Sequence, residues 1–265
     1  MSSKSQIVAT IGPSSGEVEI LVKMLSGGMD VARINFSHGT YESNGGYIAH
    51  VREAAKIARK KVPVIQDLSG PRMKTDAGHA FDAEEASVVT EKDLNDLDFG
   101  ITSRVDYIAQ SYVGSAKDIS LLRDAIKARG AKIPIIAKIE RSEAVKNFDE
   151  ILAEADAIMI ARGDLGLNVP IEDIPFLEKE MIEKCRTVGK PVIVATEMLY
   201  SMVGNQKPTR AEVTDVAYAI LIGADAVMLS DETARGKFPA EAVAIMEKIV
   251  SRSEHATGTE AINAL

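Results

Sequence analysis

Eight short apolar runs recur along the 265-residue chain, at 6–12, 30–37, 63–70, 105–113, 133–140, 156–164, 191–198 and 224–230. Stretches with apolar residues at helical spacing alternate with them, at 17–26, 41–59, 116–129, 142–153, 175–188, 209–221 and 240–253. Several of these open with helix-start residues (Ser142 before Glu143, Pro208-Thr209, Pro239) and close near Gly27, Gly130, Gly189 or Gly223. Continuous Ile/Val/Ala runs suit strands buried on both faces, as in parallel sheets whose crossovers are helices. Eight such units in one chain of this length predict a single (β/α)8 barrel over 1–265, and a doubly wound open sheet is the alternative. One segment breaks the rhythm. Between the third and fourth runs, 71–90 shows no clean helix or strand and reads as a long loop, with only 91–100 helical. The last residues, 256–265, read as a disordered tail.

Polar residues fall late in every run. They are Thr10; Arg33, Asn35 and Ser37; Asp67; Ser111; Lys138 and Glu140; Arg162 and Asp164; Thr196; Ser230 and Glu232. Side chains alternate along a strand, so Lys138 with Glu140, and Arg162 with Asp164, are each expected on one face. In a barrel all these ends meet at the C-terminal face, where active sites of that fold are built. Any one hydroxyl among them reads equally well as a turn or cap residue, and one charged pair as a structural ion pair. The joint pattern across eight runs points to an enzyme site. Glu140 and Asp164 offer hard oxygen ligands for Mg²⁺ or Mn²⁺. Arg33 and Lys138 are cations suited to a phosphoryl group.

Composition narrows the partners. A formal net charge of −8 argues against nucleic acid and acidic membranes. No apolar stretch has membrane length, and the N-terminus lacks a secretory signal pattern. The single cysteine, Cys185, cannot form an intrachain disulfide and reads as a small buried hydrophobe, consistent with a cytoplasmic protein. The four histidines (His38, His50, His79, His255) lack metal-ligand spacing, and only His38 falls near the rim, where it reads as structural. There is no P-loop signature.

Several motifs carry a family resemblance. Ala9-Thr10-Ile11-Gly12-Pro13-Ser14-Ser15, Arg33-Ile34-Asn35-Phe36-Ser37-His38-Gly39, Ala137-Lys138-Ile139-Glu140, Ala161-Arg162-Gly163-Asp164-Leu165-Gly166, Pro208-Thr209-Arg210-Ala211-Glu212 and Met228-Leu229-Ser230 resemble the catalytic barrel of pyruvate kinase, in the same order. The resemblance runs from about residue 6 to 254. It implies phosphoryl transfer from phosphoenolpyruvate to ADP, giving pyruvate and ATP. Lys138, Arg33 and Thr196 would be catalytic. Arg33, Lys138, Gly163, Asp164, Thr196 and Ser111 would bind substrate, and Arg33, Asn35 and Lys74 nucleotide. Glu140 and Asp164 would hold Mg²⁺, and Asn35, Ser37, Asp67 and the Leu68 carbonyl would match the potassium ligands.

The departures from the family pattern matter as much. The family's lid domain is inserted after the third strand, and only 71–90 stands there; its C-terminal domain is also expected to be absent. The segment Asp67-Leu68-Ser69-Gly70-Pro71-Arg72 has Ser69 for a lysine and Arg72 for a glutamate. A fixed cation at Arg72 puts the potassium requirement in doubt. Lys74 replaces an arginine, keeping the charge without the bidentate fork; Glu197 replaces a glutamine and Asp231 a glycine, and these two acids, with the lysine lost at Ser69, weaken binding of a polyanionic nucleotide by Coulomb sign. The expectation is a minimal, inefficient, Mg²⁺-dependent enzyme of the pyruvate kinase type. The alternatives are nucleotide-free enolpyruvate or 2-oxo acid chemistry, of decarboxylase or aldolase kind, and a non-catalytic metabolite-binding barrel. Homo-oligomers would form through the helices after the sixth to eighth strands.

Overall fold

A computed structural model describes residues 3–75, 78–81 and 87–257. Its strands in chain order are β1 (Gln6–Ile11), β2 (Val31–Asn35), β3 (Val64–Asp67), β4 (Arg72–Thr75), β5 (Gly78–Phe81), β6 (Tyr107–Gln110), β7 (Ile135–Ile139), β8 (Ala157–Ala161), β9 (Val192–Ala195) and β10 (Ala226–Leu229). All but β4 and β5 form a closed parallel barrel in the order β1-β10-β9-β8-β7-β6-β3-β2. The expected (β/α)8 barrel is the fold.

Strand parity divides the core in two. Val8, Val31, Ile65, Ala109, Ile136, Met159, Ile193 and Met228 fill the barrel interior. Their strand neighbours, such as Ile7, Ala32, Val64, Ile108 and Ile135, pack outward against the helices. Because the period is two, the next inward residue toward the C-terminal end is Thr10 after Val8, Arg33 after Val31, Asp67 after Ile65 and Lys138 after Ile136. The apolar interior thus gives way to polar side chains in a single step along each strand.

The helices begin where hydroxyl caps predict. Thr40, Thr90 and Thr209 each accept a hydrogen bond from the backbone N–H three residues on, and the residue at that position answers the cap's own N–H. Two expectations about helices and loops are corrected. The stretch 142–153 is two helices, Ser142–Lys146 and Phe148–Glu154, broken at Asn147, whose side-chain amide donates to the Gly114 carbonyl at 2.8 Å. Within 71–90, β4 and β5 form an antiparallel hairpin with Arg72 opposite Phe81. Its strands are only four residues each, too short for a period of two to reveal them. The expected disordered tail begins within the final helix, which continues to Thr257; 258–265 lie outside the described residues. No helix among the described residues is long and apolar enough to cross a membrane.

Candidate active site

A cleft of about 650 Å³ opens at the C-terminal end of the barrel, lined by Thr10, Arg33, Asn35, Arg72, Lys138, Glu140, Asp164 and Thr196. Lys138 is the centre of its wiring. Its ammonium lies 2.7 Å from Ser111 Oγ, 3.1 Å from Asp67 Oδ1 and 2.8 Å from Glu140 Oε1. Arg33 donates from Nε to Asp67 Oδ2 at 2.7 Å and from a terminal nitrogen to Thr10 Oγ1 at 2.9 Å. Asp67 therefore sits beneath two cations. Burial would raise its carboxyl, but the Arg33 and Lys138 charges outweigh that and hold it below the ordinary carboxylate range. Burial works against the Lys138 charge, yet Asp67 and Glu140 raise its pKa. Both cations are aimed by fixed partners.

Glu140 is fully buried. Its Oε2 accepts from the Tyr112 N–H at 2.6 Å, and its Oε1 faces the Lys138 ammonium at 2.8 Å. Burial pushes its carboxyl up, Lys138 opposes this, and Asp164 adds to it. Glu140 and Asp164 repel one another across the same cleft, and a divalent cation would relieve that like-charge repulsion. The described residues contain no group of three His, Cys, Asp or Glu side chains suited to a metal, so an ion at Glu140 and Asp164 would draw its other ligands from substrate and water.

Several expected site residues stand elsewhere. β8 ends at Ala161, and Arg162–Leu165 forms a helical turn, so Arg162 and Asp164 do not share a strand face. Asp164 enters the cleft, while Arg162 turns outward to pair with both Asp215 oxygens at 2.6 Å and with Glu178 at 3.2 Å. Glu197 lines a second groove with Arg162, Glu178 and Asp215 rather than facing the cleft mouth. Ser111 is fully buried behind Lys138 and donates to the Leu68 carbonyl at 2.7 Å. The expected potassium set is therefore largely engaged within the chain: Asp67 by two cations, Leu68 by Ser111, and Asn35 Oδ1 by the Ser37 N–H at 3.1 Å. Ser37 Oγ remains buried without a hydrogen bond. Thr196 has φ +73 and Glu197 φ +57, which ends the strand alternation and aims the Thr196 hydroxyl at the Gly163 N–H, 2.6 Å away. Gly163 and Thr196 thus meet, with that N–H satisfied inside the chain. Lys74 lies on β4, its side chain outside the described residues.

The cleft also contains residues that the sequence reading did not single out as binding groups. Pro13, Asn44, Tyr47 and Arg235 extend it outward, and His38 lines it with them. Tyr47 and Arg235 come from helices and turns, where no strand pattern points inward. Asp231 does reach the mouth, as expected, and pairs with Arg235 at 2.6 Å.

The family model described as pyruvate kinase, barrel domain matches residues 2–87 and 77–243. The chain belongs to the pyruvate kinase family. Pyruvate kinase from Geobacillus stearothermophilus is 39% identical over an alignment covering 97% of this chain and 58% of the relative. The Bacillus licheniformis pyruvate kinase is 37% identical, covering 96% and 57%, and that of Thermococcus litoralis 37%, covering 96% and 70%. The chain therefore spans less than two thirds of the first two pyruvate kinases. The Geobacillus alignment occupies 339 positions, more than this chain's 265 residues can fill, so that pyruvate kinase carries inserted sequence within the matched region. The family match itself divides at 77–87, at the far strand of the β4–β5 hairpin and just beyond it.

Proposed function

We propose that this barrel transfers the phosphoryl group of phosphoenolpyruvate to ADP, slowly and with Mg²⁺ or Mn²⁺. One observation carries the reading: two buried, carboxylate-anchored cations, Arg33 and Lys138, share a cleft with the paired acids Glu140 and Asp164. Arg33 and Lys138 grip the transferring phosphoryl oxygens, and because Asp67 already fixes both, little reorganisation accompanies the reaction. As the bridging oxygen takes up negative charge, Lys138 stabilises the enolate left behind. The substrate carboxylate displaces the internal bond between the Gly163 N–H and Thr196 Oγ1 when it binds, and Thr196 organises protonation of the enolate carbon. Glu140 and Asp164 would hold the divalent ion, which would supply charge neutralisation for phosphoryl transfer. A potassium requirement is not proposed, because most of its ligands are spent internally and Arg72 brings a fixed positive charge.

The outer cleft formed by Pro13, His38, Tyr47 and Arg235 offers an aromatic ring and a cation to a nucleoside phosphate. Asp231 neutralises much of that cation, so a high ADP KM is expected. A hairpin in place of a lid domain admits water, which weakens each electrostatic contact. Exposed Leu167, Ile171 and Phe176, at 75%, 79% and 74% accessibility, supply the apolar face through which barrels would pair.

Pyruvate release from phosphoenolpyruvate with Mg²⁺, measured with and without ADP, tests the assignment. ADP-dependent release that Lys138→Ala loses supports it. Release of pyruvate from oxaloacetate, with Mg²⁺ and without any effect of nucleotide, would move the assignment to 2-oxo acid chemistry.

A further inference from the structure

Tyr112 joins both strands of the hairpin to the barrel. The Tyr112 ring lies 5.6 Å from the Phe81 ring at the end of β5, and the Arg72 guanidinium at the start of β4 sits 5.4 Å over the Tyr112 ring. Arg141 closes the stack from outside, 4.1 Å over Phe81. Arg72 and Phe81 are opposite each other in the hairpin register, so both strands rest on Tyr112 at the hairpin's base. Tyr112 itself is 2% exposed and held at φ +55, a conformation costly for an aromatic residue and retained where surroundings demand it. Its N–H meanwhile fixes Glu140.

The topology says where this puts Arg72. The barrel order runs β2, β3, β6, β7. Arg33 stands on β2 and Lys138 on β7, whereas the hairpin follows β3 and Tyr112 follows β6. Arg72 therefore enters the cleft from between the two cations, while Thr196, after β9, lies across the barrel. Arg72 Nε is buried without a hydrogen bond, so the guanidinium retains donor capacity. Resting on the phosphotransfer reading above, we propose that Arg72 is a third phosphoryl-binding cation and that Tyr112, through its stack with Phe81, is the positioning residue that seats it. The hairpin is then a fixed strap carrying one functional guanidinium.

Calorimetric titration with Mg²⁺ present tests this, using phospholactate, which carries the phosphoryl group, and oxalate, which lacks it. Arg72→Gln should weaken phospholactate roughly ten- to a hundredfold, the range of a charge-assisted hydrogen bond, and leave oxalate within about threefold. Phe81→Ala, at a partly exposed position outside the cleft, should reproduce that selective loss, and the double variant should be no weaker than Arg72→Gln alone. Arg72→Lys should recover part of the phospholactate affinity. Tyr112→Phe should match wild type, because the ring and not the hydroxyl seats the strap. Unchanged phospholactate affinity in Arg72→Gln, equal weakening of both ligands in Phe81→Ala, or additive losses in the double variant would overturn the proposal while leaving the functional reading standing. A wild-type chain that binds neither ligand overturns both.

Discussion

Asp67 and Lys138 form an ion pair 3.1 Å long between β3 and β7, with side-chain exposures of 1% and 5%. Removing one member of such a pair strands the other in a low-dielectric interior, and here Arg33 would lose its anchor as well. Asp67→Asn is expected to cost about 3–5 kcal/mol of stability. Urea unfolding measures it, and a loss below about 1 kcal/mol would mean that water reaches and screens the pair.

Lys138 is also the charge closest to where the proposed enolate develops. Lys138→Met, which keeps much of the side-chain volume, should lower pyruvate release at least about a hundredfold. Retention of a tenth of the wild-type rate would remove Lys138 from the chemistry. Circular dichroism of the same variant separates loss of rate from loss of fold.

Gly100 lies in the helix Glu91–Thr102, where alanine would ordinarily add about 1 kcal/mol of helix stability. Here a Cβ would come within 1.9 Å of Gln66 Oε1, and Gln66 is fully buried with its amide donating to the Asp96 carbonyl at 2.6 Å. Gly100→Ala is therefore expected to destabilise by about 1–3 kcal/mol, as overpacking does. A raised melting temperature would show that Gln66 swings aside freely.

Glu212 caps its own helix and ties down the preceding turn. Its carboxylate accepts from Ser201 N and Oγ, each at 2.6 Å, and from Thr209 N at 2.7 Å and Oγ1 at 2.9 Å. Burial would raise its pKa, but the bonds to Ser201 and Thr209 outweigh that and lower it from 4.5. A lowered folded pKa gives stability that is present above the unfolded value and lost as pH falls through the folded one. Glu212→Gln should cost about 1 kcal/mol near neutral pH, in line with loss of a helix cap, with the difference from wild type shrinking below about pH 4.5. Unfolding curves at pH 7 and pH 3.5 check this, and a gap that widens in acid would reverse the sign.

What the sequence determined is what strand and helix periods determine locally. Alternation placed Arg33, Asp67 and Lys138 inward, one step above Val31, Ile65 and Ile136, and the late position of polar residues gave the end of the barrel that bears the site. The departure at Arg72 was visible too, since it is a change of charge. Tertiary structure decided what happens where a strand hands over to a turn, because there the period of two stops. Arg162 leaves Asp164 at a helical turn, and Thr196 departs from its strand at φ +73. Tertiary packing also decided depth: Asp67 and Ser111 stand behind Arg33 and Lys138 as their anchors, a distinction that depends on barrel closure and neighbouring strands. The hairpin belongs to the same class. Its strands are short, and Arg72 and Phe81 at its base rest on Tyr112, more than thirty residues further along the chain.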